Sequence, residues 1–310
     1  MERSAKIYVA GHAGLVGSAL TRALSNAGHE NIVVRTREEL DLTNQNAVRA
    51  FFEQERPAYV FLAAAKVGGI VANRDWPAES IRDNLLIETN VMESARAAGV
   101  KKLLFLGSSC IYPKEAPQPI KEEYLLTGPL EETNRAYAIA KIAGIELCRS
   151  YRAQYGAHFI SAMPTNLYGP HDNFDLALSH VIPALIRKFH EAKVDGAVNA
   201  TVWGTGTPRR EFLHVDDLAL ACLYLMEHYD DEGIINIGTG EDLSIQELAE
   251  LVKKIVGYGG EIAWDATKPD GTPRKLLDVS KIHALGWKHR IPLIEGLQQT
   301  YEWYVQQHAP

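Results

Sequence analysis

Lys6-Ile7-Tyr8-Val9-Ala10-Gly11-His12-Ala13-Gly14-Leu15-Val16-Gly17 is the stretch on which the fold turns. A short β-rich run over 6–10 meets three glycines spaced three apart. The following segment, 15–27, places Leu20, Ala23, Leu24 and Ala27 at helical spacing. Glycines at a strand-to-helix junction allow a tight turn and let the backbone approach a pyrophosphate closely. The helix N-terminus then presents free N–H groups and the positive end of its dipole. Strand, loop and helix in this order predict a dinucleotide-binding βαβ unit, with Gly11, His12, Ala13, Gly14, Leu15, Val16 and Gly17 along the cofactor.

The pattern continues outward from this stretch. Residues 31–35 hold Ile32, Val33 and Val34, and 44–55 carry Ala47, Val48, Phe51 and Phe52 on one helical side. Residues 59–65 and 103–107 are apolar runs bounded by breakers, as expected of strands buried on both faces. Such alternation predicts an α/β, Rossmann-type doubly wound parallel sheet. After about Tyr168 the punctuation thickens at Gly169-Pro170, 204–208 and 269–273, with helices expected near 216–229 and 244–256. We therefore read 1–164 as mainly a dinucleotide-binding domain. Residues 165–310 read as mainly a smaller α/β substrate-binding lobe, some of whose segments return to the first sheet. No linker or internal repeat interrupts the chain, so a cleft between lobes is expected.

Composition removes several classes. Over 310 residues, 32 Lys and Arg face 39 Asp and Glu, a net charge of −7, which argues against a general nucleic-acid binder. Cys110, Cys148 and Cys222 are too few and scattered for a disulfide framework or a Cys-x-x-Cys metal site. Free thiols suit a reducing compartment, and no apolar run approaches the ~18–20 residues that span a bilayer. The N-terminus lacks a secretion signal's apolar region. A cytoplasmic protein without metal is expected. His214-x-Asp216 is read as a structural histidine followed by an Asp that caps the next helix.

Past the second strand, NAD enzymes usually place an acidic residue for the ribose 2′-hydroxyl. This chain has Arg35-Thr36-Arg37, and a guanidinium suits a 2′-phosphate, which favours NADP and singles out Arg37. Asp41 and Leu42 are candidates for the adenine pocket.

Tyr137 and Lys141 lie four apart in a helical segment, 134–149, and so share a face. An ammonium beside a phenol lowers its pKa and makes it a usable proton donor or acceptor. Gly107-Ser108-Ser109-Cys110 ends a buried strand, where open α/β sheets put their sites. Either serine can orient a substrate carbonyl; spacing does not choose between them. This Ser–Tyr–Lys set behind a glycine loop resembles the short-chain dehydrogenase/reductase superfamily. With the C-terminal lobe and Phe212-Leu213-His214-Val215-Asp216-Asp217, it is similar to the extended class, which acts on nucleotide sugars. Five further stretches, 63–69, 107–113, 164–173, 179–183 and 268–275, resemble one branch of that class. Its members turn GDP-4-keto-6-deoxy-D-mannose into GDP-L-fucose with NADPH, by 3,5-epimerisation and then 4-keto reduction. The resemblance runs from the first strand to Trp303.

The resemblance implies roles. Cys110 serves as base and His180 as acid at C3 and C5, although which serves each carbon stays open. Their unperturbed pKa values of ~8.5 and ~6.5 straddle neutrality. Tyr137 protonates the C4 oxygen, Lys141 holds the nicotinamide ribose and tunes Tyr137, and Ser108 orients the oxygen. Leu106, Gly107, Ser108, Ser109, Pro164, Thr165, Asn166, Leu167 and His180 line the cofactor, and Asn166 helps place the sugar. Lys188, Trp203, Arg210, Asp270 and Lys275 meet the GDP end. A homodimer packed through 81–98 and 137–151 is also implied.

The chain departs from the branch at Ala13 and Lys188, where arginine is usual, and 227–235 is short. Three rivals remain. A 4,6-dehydratase would carry Asp-Glu where Ser109-Cys110 stands. A 4-epimerase would keep an acidic residue after strand two, and a non-enzymatic NADP-binding regulator needs no proton donor.

Overall fold

The computed structural model describes residues 1–68, 75–176, 178–268 and 270–308. Gly69 and Pro269, within two of the stretches above, lie outside the described residues.

Strands and helices alternate through β1 Ile7–Ala10, α1 Leu15–Asn26, β2 Ile32–Val33, α2 Gln45–Glu55, β3 Tyr59–Leu62, α3 Pro77–Ala97, β4 Lys102–Leu106, α4 Arg135–Tyr155 and β5 Phe159–Pro164. With β10 at Ile234–Ile237, the sheet order is β10-β5-β4-β3-β1-β2, and every pairing is parallel. The chain moves outward from β1 to β2 and then back past β1 to β3. Strand order therefore reverses between β1 and β3, the place where open α/β sheets bind ligands. The central strands are apolar on both faces because helices cover both. Phe61, Phe105 and Phe159 are fully buried, each contributing roughly 1.5–3 kcal/mol.

The second strand is shorter than the apolar run 31–35. It lies at the sheet edge with β1 as its one neighbour, and Arg35 folds back onto Glu55 at 2.7 Å. Asn44 caps α2 by accepting the Ala47 N–H, and Phe51 and Phe52 from that helix pack on Tyr8.

The rest of the chain runs through β6 Asn166–Tyr168, α5 Val181–Val194, β7 Asn199–Trp203, β8 Arg209–Arg210, β9 Phe212–His214, α6 Val215–His228, β10 Ile234–Ile237, β11 Leu243–Ser244, α7 Ile245–Val256, β12 Glu261–Asp265, β13 Arg274–Lys275, α8 Ser280–Ala284 and α9 Leu293–His308. Phe189, Leu185, Leu248, Val252 and Tyr258 form a second apolar core between α5 and α7. Ser244 and Glu247 form a reciprocal capping box at the start of α7, and Gly257 ends that helix in the left-handed region. β10 completes the first sheet beside β5, and α6 packs against α1 with Arg22 and Asp216 paired at 2.6 Å. That pairing corrects one expectation. The His214 ring, not Asp216, caps α6 by accepting the Asp216 N–H, because the aspartate is turned toward Arg22.

Candidate active site

The glycine loop is shaped by close approach. Gly11 has φ +86°, and a Cβ on it would sit 2.8 Å from the Ala64 backbone. A Cβ on Gly17 would lie 2.0 Å from the Gly11 carbonyl oxygen. At Gly14 the nearest atom to such a Cβ is that same oxygen, at 3.6 Å, so one face of the loop is open. Gly14 caps α1 without any side-chain hydrogen bond, leaving the first-turn amides of Leu15, Val16 and Gly17 uncapped by side chains. An open cradle of uncapped amides at the strand-order reversal fits the pyrophosphate of a dinucleotide.

Beyond β2 the two arginines part. Arg35 is held by Glu55 and lies over Phe51, whereas Arg37 is exposed and makes no ion pair among the described residues. Asp41 accepts from the Thr43 N–H and hydroxyl, and the Leu42 carbonyl accepts from Asn90.

At the end of β4, Gly107 passes so close to Met163 that a Cβ would lie 2.4 Å from its sulfur. Ser108 accepts the Cys110 N–H at 3.2 Å, and its hydroxyl acts on the Tyr137 phenol, drawing its pKa down. The Ser109 side chain is instead buried. Tyr137 and Lys141 share the inner face of α4. The Lys141 ammonium donates to the Leu106 carbonyl at 3.0 Å and pairs with Glu88 of α3 at 3.1 Å, both side chains being almost wholly buried. Tyr137 departs from the expectation that a lysine one turn away lowers its pKa. Burial, then the charges of Cys110 and Glu88, push the phenol well above its ordinary value, against the Ser108 hydrogen bond.

Cys110 sits half-buried beside Ser108, and the Lys275 ammonium lies 3.4 Å from its sulfur. Burial pushes the thiol up, but Lys275, the Ser108 hydrogen bond and Arg210 outweigh it and hold Cys110 below its ordinary value. Cys148 and Cys222 are buried and pushed up by burial, Cys148 to about 12 because Ser161 and Arg152 oppose the burial too weakly to offset it. His180 precedes α5 and is exposed, and desolvation followed by the Lys275 charge pushes its imidazole down. Lys275, expected at the GDP end, thus stands beside Cys110, with its charge reaching His180.

Pro164 closes β5, and Thr165 donates its N–H to Ile237 of β10. The Asn166 amide donates to the Glu211 carbonyl at 2.8 Å, and Leu167 pairs with Leu213 between β6 and β9. Farther along, Trp203 is half-exposed with the Lys188 and Lys268 ammoniums 5.1 and 5.3 Å from its ring, a cationic aromatic platform. Lys188 also donates to the Thr201 carbonyl. Asp270 accepts the Thr205 N–H at 2.7 Å, and the charges of Asp270 and Cys110 both reach Arg210.

Two buried carboxylates escape a reading by motif. Glu88 stands at core spacing with Asn84, Met92 and Ala95 on α3, and an acid at such a position is the signal that marks it. Glu211 accepts the amides of Thr239, Gly240 and Leu277, which fixes β13, and so Lys275, against β8. Among the described residues no cluster of His, Cys, Asp or Glu is arranged to hold a metal ion, and no helix is long and apolar enough to cross a membrane.

Residues 7–238 match the model of the NAD dependent epimerase/dehydratase family. GDP-L-fucose synthase 1 of Arabidopsis thaliana is 62% identical over 98% of this chain and 94% of its own. The crystal structure of a GDP-6-OMe-4-keto-L-xylo-heptose reductase from C. jejuni superposes with a TM-score of 0.95 at 44% identity, covering 99% of both chains. A GDP-L-fucose synthetase from Naegleria fowleri, solved bound to NADP, gives 0.92 at 30% identity over 99% of this chain and 96% of that one.

Proposed function

Because the chain belongs to the NAD dependent epimerase/dehydratase family, we propose the following activity for it. It converts GDP-4-keto-6-deoxy-D-mannose to GDP-L-fucose with NADPH, by epimerisation at C3 and C5 and then reduction at C4. Relatives at 62% and 55% identity are named GDP-L-fucose synthase. The observation that carries the reading is the second acid–base set. Cys110, with Lys275 at 3.4 Å, adjoins Ser108, and its charge reaches Tyr137, so proton exchange and reduction share one site. A reductase alone has no use for an activated thiol beside its Ser–Tyr pair.

The order of steps follows from the substrate. The C4 ketone acidifies the protons on C3 and C5, and that acidity is gone once C4 is an alcohol. Cys110 as thiolate takes the proton, and Lys275 stabilises the charged form that does so. His180 returns a proton from the opposite face. Its lowered pKa makes the imidazolium scarcer but readier to give up its proton. The bound dinucleotide supplies the hydride for C4. Tyr137 delivers the proton to the C4 oxygen, a task that suits a phenol held protonated, and Ser108 orients that oxygen. Lys141 holds the nicotinamide ribose. Arg37, exposed and without an ion pair among the described residues, supports NADP over NAD. Lys188, Trp203, Arg210 and Asp270 take the GDP end, with Trp203 stacking on base or sugar.

We read 1–164 as mainly cofactor domain and the remainder as mainly substrate lobe. We also infer a homodimer through α3 and α4, whose Leu86 and Ile139 are exposed, and a cytoplasmic setting, where a free catalytic thiol survives. The decisive experiment is product analysis with NADPH and deuterated water. Wild type should form GDP-L-fucose carrying deuterium at C3 and C5, and Cys110→Ser and His180→Gln should lose that label. Folded wild type that leaves NADPH unoxidised with this substrate would falsify the reading.

A further inference from the structure

We propose that Glu88 is a positioning residue for the reduction step: buried against Lys141, it fixes the ammonium's direction and offsets its charge, so that Tyr137 meets substrate with its proton in place. The inference rests on the reductase reading above. Lys141 has three N–H donors. One goes to the Leu106 carbonyl at 3.0 Å and one faces Glu88 Oε1 at 3.1 Å, while the Phe105 ring lies 4.7 Å from the nitrogen. The third has no acceptor among the described residues and is left for a ligand. Without Glu88 the flexible four-carbon stem would have one anchor instead of two.

The pocket for this carboxylate is built. Gly144 follows Lys141 on the same face of α4, and a Cβ there would lie 2.8 Å from Glu88 Oε2 and 2.4 Å from the Phe105 ring. Neither carboxylate oxygen has a hydrogen-bond partner, and Oε1 meets Lys141 only as an ion pair, an expensive condition for a buried carboxylate held only for packing. Apolar residues often replace buried ion pairs without loss of stability, so the position of this one, a turn from Tyr137, calls for a reason in the chemistry.

Charge provides it. A lone buried ammonium 5.8 Å from the Tyr137 ring would favour phenolate, the wrong state for a proton donor. Glu88 supplies the opposing charge. The other groups around Tyr137 act in known directions: the Cys110 charge also favours the phenol, and the Ser108 hydrogen bond opposes it. The Glu88 charge also reaches Cys148 of α4, whose thiol burial keeps neutral.

The test compares Glu88→Gln and Glu88→Asp with wild type, all loaded with NADPH, reading reduction across pH and solvent exchange at C3 and C5. The Gln variant should lose about tenfold in kcat with KM and exchange little changed, and its alkaline limb should move to lower pH. The Asp variant keeps the charge but sits one methylene short. It should lose about threefold in kcat with its alkaline limb unmoved. A folded Gln variant with the wild-type profile overturns the proposal, as does a parallel loss of exchange and reduction, the mark of a merely structural role. If the Gln variant does not fold, the Asp variant decides: wild-type kcat, or a displaced limb, overturns it. Wild type without NADPH oxidation defeats the functional reading instead, so the two failures are distinct.

Discussion

Replacing Gly17 by alanine tests how the glycine loop binds its ligand. The added Cβ would lie 2.0 Å from the Gly11 oxygen, 2.5 Å from the Gly11 carbonyl carbon and 2.7 Å from the His12 Cα. Ordinary contact begins near 3.4 Å, so backbone must move by more than an ångström, and none of these atoms belongs to a side chain that could turn aside. Overpacking of this kind costs about 1–3 kcal/mol. The displaced Gly11 carbonyl also accepts the Gly14 N–H at 3.1 Å, so the cradle opens at its hinge. Gly14→Ala is the contrast. Its Cβ meets only the Gly11 oxygen, at 3.6 Å, an ordinary contact, but it projects into the open face where a pyrophosphate would lie. We expect Gly17→Ala to lower Tm and to weaken NADPH binding by about tenfold to a hundredfold, where each 1.4 kcal/mol is tenfold. Gly14→Ala should keep the wild-type Tm and lose affinity alone. Fluorescence titration of NADPH and thermal melts read both quantities. A Gly17→Ala protein with wild-type Tm and affinity would refute the argument, and so would a Gly14→Ala protein that binds normally.

Three further outcomes follow from the site. Lys275 is the largest influence favouring the Cys110 thiolate, so Lys275→Met leaves Ser108 and Arg210 alone against burial and the pH midpoint of iodoacetamide alkylation should rise; Cys148 and Cys222 are buried and should stay silent, and an unmoved midpoint would remove Lys275 from the thiol's environment. Arg37→Ala should erode the preference for NADPH over NADH in paired titrations without changing the melt, whereas Arg35→Ala breaks a pair with Glu55 and should lower Tm instead. Tyr137→Phe should abolish reduction while deuterium still enters at C3 and C5, because Cys110 and His180 do not depend on the phenol; intact reduction would point to another proton donor.

What could be read without coordinates was what depends on neighbours in sequence. Gly11 and Gly17 declare a strand-to-helix turn because only glycine tolerates the backbone contacts that turn requires, Gly14 keeps the loop's ligand face open, and Tyr137 and Lys141 share a face because helical pitch dictates it. Period and punctuation likewise determined the alternating strands and helices, and hence the α/β class. Tertiary structure decided what depends on approach between distant segments. It separated Ser108 from Ser109, which spacing could not, by turning one hydroxyl toward Tyr137 and burying the other side chain. It took Arg35 away for Glu55 and left Arg37 open. It carried Lys275 across 165 positions to within 3.4 Å of Cys110, and brought Glu88 from α3 against Lys141 of α4. Charges act through space, so the protonation states of Cys110 and Tyr137 are properties of the folded chain rather than of any motif in it.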